Sequence, residues 1–256
     1  MKADWSIIPD INDIERFVKL SKEYDAAFEY NDFFWPNVYE NEEEYERRVR
    51  MYESLDRDRK NDTVHGVFYD IAMISMDSVI RDRSRTLVKR SFDVARRLSC
   101  KGVVFHTGLI SGLDTKAYID QWLEGMSEYL HEIAPAYEDV QIYMENTFER
   151  TPEPFVGLME RTRDLENVSV CFDYAHAMLT VTDSKIWFEK LKPYIRHMHI
   201  NDHDLKADLH LAVGDGDIDY RVFKGLVDSC QKGVRILHEV NGYEKTRRSL
   251  EYMERL

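Results

Sequence analysis

Imidazole and carboxylate groups close one short apolar run after another in this chain. Val103-Val-Phe ends in His106, Ile142-Tyr-Met in Glu145, Val168-Ser-Val-Cys-Phe in Asp173, and Ile236-Leu-His in Glu239. A further run from Ile195 contains His199 and leads into a loop carrying Asp202, Asp208 and His210, then a Gly-x-Gly turn at Gly214 and Gly216. Both kinds of group offer lone pairs near neutral pH, which is what a divalent cation requires. Several acids buried together without a cation would force one another to protonate. Glu145, Asp173, His199 and Glu239 each close a separate run, so they can converge on one centre. Three carboxylates and one imidazole suit Mn²⁺, Mg²⁺ or Co²⁺, whereas a His-rich second cluster favours Zn²⁺ or Mn²⁺.

The remaining candidates divide by position. Of the nine histidines, His65, His106, His176 and His210 also fall at or just after strand-like runs. Asp173-x-x-His176 and Asp208-x-His210 could build a second cluster or hold substrate. His197 shares the parity of His199 one pleat deeper, which suits a core or supporting role. His238 alternates with Glu239 and should point outward towards a helix. His131 on a helix and His203 in a loop are expected to face solvent.

Short β-branched or aromatic runs must present these groups. They occur at 5–8, 26–30, 63–68, 102–106, 141–145, 169–173, 195–200 and 235–240. Amphipathic stretches separate them at 11–22, 40–57, 84–98, 115–133, 153–164, 184–190, 220–230 and 243–256. Alternation repeated eight times predicts an α/β fold, a single-domain (β/α)8 TIM barrel over residues 1–256. An open doubly wound sheet would carry a Gly-rich phosphate loop after an early strand, and the sequence has none. The charged stretch 40–57 reads as a solvated helix face with acid-to-base pairs at helical spacing. The longest irregular pieces, 31–39 and 201–219, follow strands, on the side where barrel active sites sit.

A formal charge of −13 argues against a protein that grips nucleic acid, which needs a basic face to displace counterions. Three cysteines without CxxC spacing read as reduced core thiols. The first residues lack an apolar signal core and no run of ~18 apolar residues occurs, so no membrane partner and a cytoplasmic location are expected.

Seven pieces in order carry a family resemblance: His65-Gly-Val-Phe, Val103-Val-Phe-His-Thr-Gly, Tyr143-Met-Glu-Asn, Cys171-Phe-Asp-Tyr-Ala-His, His197-Met-His-Ile-Asn-Asp, Asp208-Leu-His-Leu-Ala-Val-Gly-Asp-Gly-Asp-Ile and His238-Glu. The chain resembles the xylose-isomerase-like barrel superfamily, which holds sugar phosphate isomerases and epimerases together with endonuclease IV-type repair enzymes. The resemblance implies a shared metal site at Glu145, Asp173, His199 and Glu239. In the epimerases the glutamates matching Glu145 and Glu239 also move the proton. The endonuclease IV branch uses further ligands, and the matching positions here hold His65, His106, His176, Asp208 and His210.

The leading expectation is a metal-dependent isomerase or epimerase acting on a small sugar or sugar phosphate through an enediolate. His176, Lys206 and Trp35 are the candidates for substrate contact. The segment Phe33-Phe34-Trp35-Pro36 could equally be packing over the rim. The alternatives are an apurinic/apyrimidinic phosphodiesterase with a multi-zinc site, a sugar or inosose dehydratase, and a metal-binding barrel without catalysis. Nothing in the sequence decides between monomer and homo-oligomer.

Overall fold

The computed structural model describes residues 3–147, 149–230 and 233–256; Met1 and Lys2, part of the N-terminal stretch read above for a signal core, lie outside the described residues. The strands are β1 (Asp4–Ile7), β2 (Ala27–Tyr30), β3 (Thr63–His65), β4 (Gly102–His106), β5 (Gln141–Glu145), β6 (Val168–Asp173), β7 (Ile195–Ile200) and β8 (Arg235–His238). They follow one another in chain order around a closed barrel, and β1 pairs in parallel with both β2 and β8. This is a (β/α)8 barrel, as the alternation predicts.

The helices are α1 (Ile14–Tyr24), α2 (Pro36–Glu40), α3 (Glu42–Glu53), α4 (Ser78–Arg97), α5 (Lys116–Ile133), α6 (Glu153–Arg161), α7 (Tyr174–Met178), α8 (Ser184–Leu191), α9 (Tyr220–Asp228) and α10 (Tyr243–Arg255). Helix α7 has no counterpart among the expected stretches, and three others depart from them for local reasons. The stretch 40–57 is broken at Asn41, which is extended (φ −107°, ψ 92°) and accepts the Glu44 N–H at 3.1 Å. An Asn in that role caps the helix that follows, so α3 starts there. A separate helix, α2, begins at Pro36 within the stretch expected to be irregular. Helix α4 starts at Ser78 rather than 84, because Asp77 accepts the N–H groups of Val79 and Ile80. Its first turn carries Val79 and Ile80 exposed, so the apolar period becomes visible only further on. The charged face of α3 is as expected, with Glu44 bonded to both Arg47 and Arg48.

Packing sorts the chain into two compact units. The first contains Met1–Glu29, Glu145–Pro152 and Val170–Leu256. Its interior includes Trp187, Phe188, Phe172 and Tyr220, all fully buried, each contributing about 2 kcal/mol through area removed from water. The second contains Tyr30–Met144 and Glu153–Ser169. There Phe92 stacks on Tyr137 at 4.2 Å, and Tyr30 donates its hydroxyl to Asp62 at 2.7 Å beside Arg57. Cys100 and Cys171 are buried and Cys230 is partly so, none in a disulfide. No helix among the described residues is long and apolar enough to cross a membrane.

Candidate metal centre

The first unit gathers Glu145, Asp173, His199 and Glu239. Glu145 and Asp173 are the last residues of β5 and β6, His199 is next to last in β7, and Glu239 follows β8 directly. The parallel register sets Asp173 beside His199, and the Glu239 N–H donates to the Ile200 carbonyl at 2.8 Å, carrying the ladder one residue past β8. One donor atom from each of the four lies within 4.8 Å of all the others. His199 Nδ1 is 3.2 Å from Glu145 Oε1 and 3.3 Å from Glu239 Oε2. All four residues are buried.

Asn146 fixes Asp173 from the neighbouring strand end. Its side chain donates to the Asp173 carbonyl and accepts the Asp173 N–H, both at 2.9 Å. Asp173 Oδ1 caps α7 by accepting the His176 N–H at 2.6 Å, while its buried Oδ2 accepts no hydrogen bond from the described residues. A buried carboxylate oxygen in that state is costly, and a cation among these donors removes the cost. The residues therefore fit a divalent ion. Their titration carries the same strain. Burial, aided by Glu239 and Glu145, pushes the Asp173 carboxyl up to about 7. Burial opposes charge on His199, but Cys171, Glu145, Glu29 and Glu239 together raise it well above the usual imidazole range.

A second group adjoins the first. Asp208 Oδ2 lies 3.3 Å from His176 Nε2 and 2.9 Å from His210 Nε2, and His210 Nδ1 is 2.8 Å from the Glu239 carbonyl. The other Asp208 oxygen is buried and accepts no hydrogen bond from the described residues. Burial opposes charge on His210, but the bond to Asp208 and the field of Glu239 push it up to about 10. His210 sits at φ 45°, a conformation costly for a non-glycine residue and found at sites whose surroundings enforce it.

Asp202, read among the metal-loop residues, does other work. Its carboxylate accepts the N–H groups of His203 at 2.9 Å, Gly214 at 2.8 Å and Ile218 at 3.1 Å. Its backbone exchanges both hydrogen bonds with Leu211. The loop thus leaves at 202 and returns at 211, which sets Asp208 and His210 on the intervening arm. The Gly-x-Gly turn is explained by the same residue: a Cβ at Gly216 would overlap Asp202 Oδ1, and Gly214 has φ +94°.

Among the remaining histidines, His203 is buried rather than solvent-facing. Its Nε2 bonds the Ala175 carbonyl at 2.9 Å and its Nδ1 accepts the Leu205 N–H at 3.0 Å, replacing the water a loop residue would use. His131 is exposed, as expected, and lies 3.2 Å from Asp164. His197 is buried, 3.0 Å from Glu29. Glu29, inside β2, escaped the sequence reading because it ends no run. A lone acid within a four-residue buried strand is the one signal that could have found it. In the second unit His65 and His106 meet edge-on at 5.3 Å. Trp35, 46% exposed, stacks on Tyr69 at 4.6 Å, and Lys206 is exposed in the 201–219 loop.

His238 is fully buried with its ring 4.8 Å from Trp5, and neither ring nitrogen has a hydrogen-bond partner among the described residues. Burial lowers its pKa from 6.5 to about 3. The unfolded chain therefore takes up this proton first, so the contribution is complete above pH 6.5 and is lost as pH falls towards 3. The variant His238→Leu should lose less melting temperature than the parent between pH 7 and pH 5. Parallel losses in the two proteins would refute the assignment.

Strand-end carboxylates and imidazoles around a buried centre on a (β/α)8 barrel define a class of metal-competent barrel proteins. The chain belongs to the xylose isomerase-like TIM barrel family, whose model matches residues 17–256. Two uncharacterized proteins of Methanocaldococcus jannaschii are similar in sequence, one 29% identical over 183 residues, the other 26% over 169. These matches cover 66% and 63% of this chain and span 61% and 64% of those relatives. Among solved structures, a D-tagatose 3-epimerase-like protein superposes with a TM-score of 0.77 at 20% identity, covering 98% of this chain and 96% of that one. A Thermus thermophilus protein soaked with ZnCl2 gives 0.78 at 21% identity, covering 100% and 97%. At these identities the structural likeness speaks for the fold.

Proposed function

We propose that this chain, acting as one functional domain over residues 1–256, is a metal-dependent isomerase or epimerase of small sugars or sugar phosphates. The observation that carries the reading is the pair Glu145 and Glu239, both beside His199 Nδ1 at 3.2 and 3.3 Å, with Asp173 completing the set. Glu145, Asp173, His199 and Glu239 would hold the ion. A divalent cation there (Mn²⁺, Mg²⁺, Co²⁺ or Zn²⁺) would supply electrophilic polarisation of a carbonyl and its neighbouring hydroxyl. One glutamate takes the proton from the carbon α to that carbonyl, and the other returns a proton to the enediolate. Return to the same carbon with inverted configuration gives an epimer, and return to the adjacent carbon gives an isomer. Both ring nitrogens of His176 and His210 are engaged, by Asp208 and by the carbonyls of Asn146 and Glu239, so this group would meet a substrate hydroxyl through the other oxygen of Asp208. Lys206, on the same loop, suits a phosphate.

The test is proton exchange. Metal-loaded protein in D₂O with a panel of ketoses, aldoses and their phosphates should place deuterium on carbon in at least one of them. Loss of a hydroxyl as water from the same enediolate would instead identify a dehydratase.

A second reading, phosphodiester hydrolysis at abasic DNA, draws on His65, His106 and the His176–Asp208–His210 group, which could hold further zinc ions. The −13 charge weighs against it, since such a surface has little electrostatic hold on phosphates. Cleavage of abasic duplex at physiological salt, with three zinc equivalents reduced by one in His106→Ala and in His210→Ala and no deuterium uptake, would replace the isomerase assignment.

A further inference from the structure

We propose that Glu29 is a positioning residue that fixes the ring of His199 and dictates which nitrogen faces the metal; this rests on the proposed metal centre. Glu29 lies in β2, where every residue is buried, and its own side chain has no solvent exposure. A carboxylate so placed costs several kcal/mol unless charged or donating partners surround it. Two imidazoles from β7 are those partners. Glu29 Oε2 is 3.0 Å from His197 Nε2, and Oε1 is 3.2 Å from His199 Nε2. The two histidines are one pleat apart, their rings 5.2 Å from each other and nearly perpendicular, so one carboxylate reaches both from the side.

The consequence follows from what each atom can do. Nδ1 of His199 faces Glu145 and Glu239, so an ion held by those carboxylates takes its lone pair and leaves the ring hydrogen on Nε2. An ionised carboxylate only accepts hydrogen bonds, and Glu29 Oε1, 3.2 Å from Nε2, is the acceptor placed for that hydrogen. A carboxylate behind a ligating imidazole holds the tautomer, stops ring rotation and raises the basicity of the ligating nitrogen. His197 occupies the second oxygen of Glu29 and prevents that carboxylate from turning. Within the first unit, a strand far from the centre in sequence thereby sets the orientation of a ligand on β7.

The experiment uses the full chain with ¹⁵N-labelled histidine and Zn²⁺ as the probe, together with Mn²⁺ affinity by chelator competition. In the parent protein, nitrogen spectra should show His199 bound to zinc through Nδ1 and protonated at Nε2. Glu29→Gln should keep the circular dichroism of the parent but weaken Mn²⁺ by ~10–100-fold and lose the single His199 tautomer. Zinc on Nε2 in the parent would overturn the proposal, and this holds even if Glu29→Gln fails to fold. Unchanged Mn²⁺ affinity in a folded Glu29→Gln would overturn it as well. Asp173→Ala separates the two levels of inference. If that variant binds Mn²⁺ as tightly as the parent, the metal centre itself is wrong. If it loses Mn²⁺ while Glu29→Gln does not, only the role of Glu29 falls.

Discussion

Exchanging Glu145 or Glu239 for glutamine should lower turnover by ~10²–10⁴-fold, the range that a positioned acid or base supplies. An amide keeps the shape and one oxygen donor of the carboxylate but cannot accept and release a proton. Both residues are buried beside the same imidazole nitrogen, so neither is easily replaced by water in that task. The two variants should also differ from each other. The one that removes the first base abolishes deuterium exchange into substrate as well as product. The one that removes the returning acid still permits exchange while product formation stops. Glu145→Ala and Glu239→Ala, which delete the donor outright, should additionally lower bound metal while far-ultraviolet circular dichroism stays unchanged. Full turnover in either Gln variant, with a substrate that the parent converts, would dismiss that glutamate from the chemistry.

The largest effect on stability is expected at Asp202. Three N–H groups, from His203, Gly214 and Ile218, donate to its carboxylate, and Asp202 itself has no solvent exposure. Alanine leaves those donors without an acceptor, at about 1–3 kcal/mol for each one that water does not reach, which applies to the buried His203 and Ile218 rather than to the exposed Gly214. A loss of about 3 kcal/mol or more is the expected sum, read as a lower urea midpoint with an unchanged slope. Because the same residue returns the loop at Leu211, Asp202→Ala should also expose the arm between them to proteolysis. Metal affinity at any site that uses Asp208 or His210 should fall with it. A urea midpoint within error of the parent would show that the loop does not depend on this carboxylate.

Much of the fold was legible because it repeats. Eight apolar runs and eight amphipathic stretches are periodic signals, and each corresponds to an element in the structure. Their ends were less legible where side-chain caps decide. Asp77 starts α4 ahead of its apolar stripe, and Asn41 cuts a charged stretch in two, both through hydrogen bonds that periodicity does not register. Helix α7 is too short to show a period and exists where Asp173 caps it.

The sequence by itself determined the barrel and the four residues that can converge, since a strand end in a parallel sheet places its last side chains on one face of the barrel. It also supplied the second group, His176, Asp208 and His210, as residues available for that face. Only the tertiary structure decided what each polar group does once there. Asp202 and Asp208 stand six residues apart in one loop and look equivalent in sequence, yet one is consumed by backbone N–H groups and the other keeps a buried oxygen that accepts no hydrogen bond from the described residues. His203, which the loop assigned to solvent, is enclosed because the Ala175 carbonyl and the Leu205 N–H take up its nitrogens. Glu29 is the clearest case: its hydrogen-bonded partner His197 lies 168 residues away in the chain, and a hydrogen bond across a barrel leaves no local period or spacing to read. Secondary structure arises from neighbours in sequence, whereas the charge and tautomer of a buried group arise from whichever atoms the closed barrel sets around it.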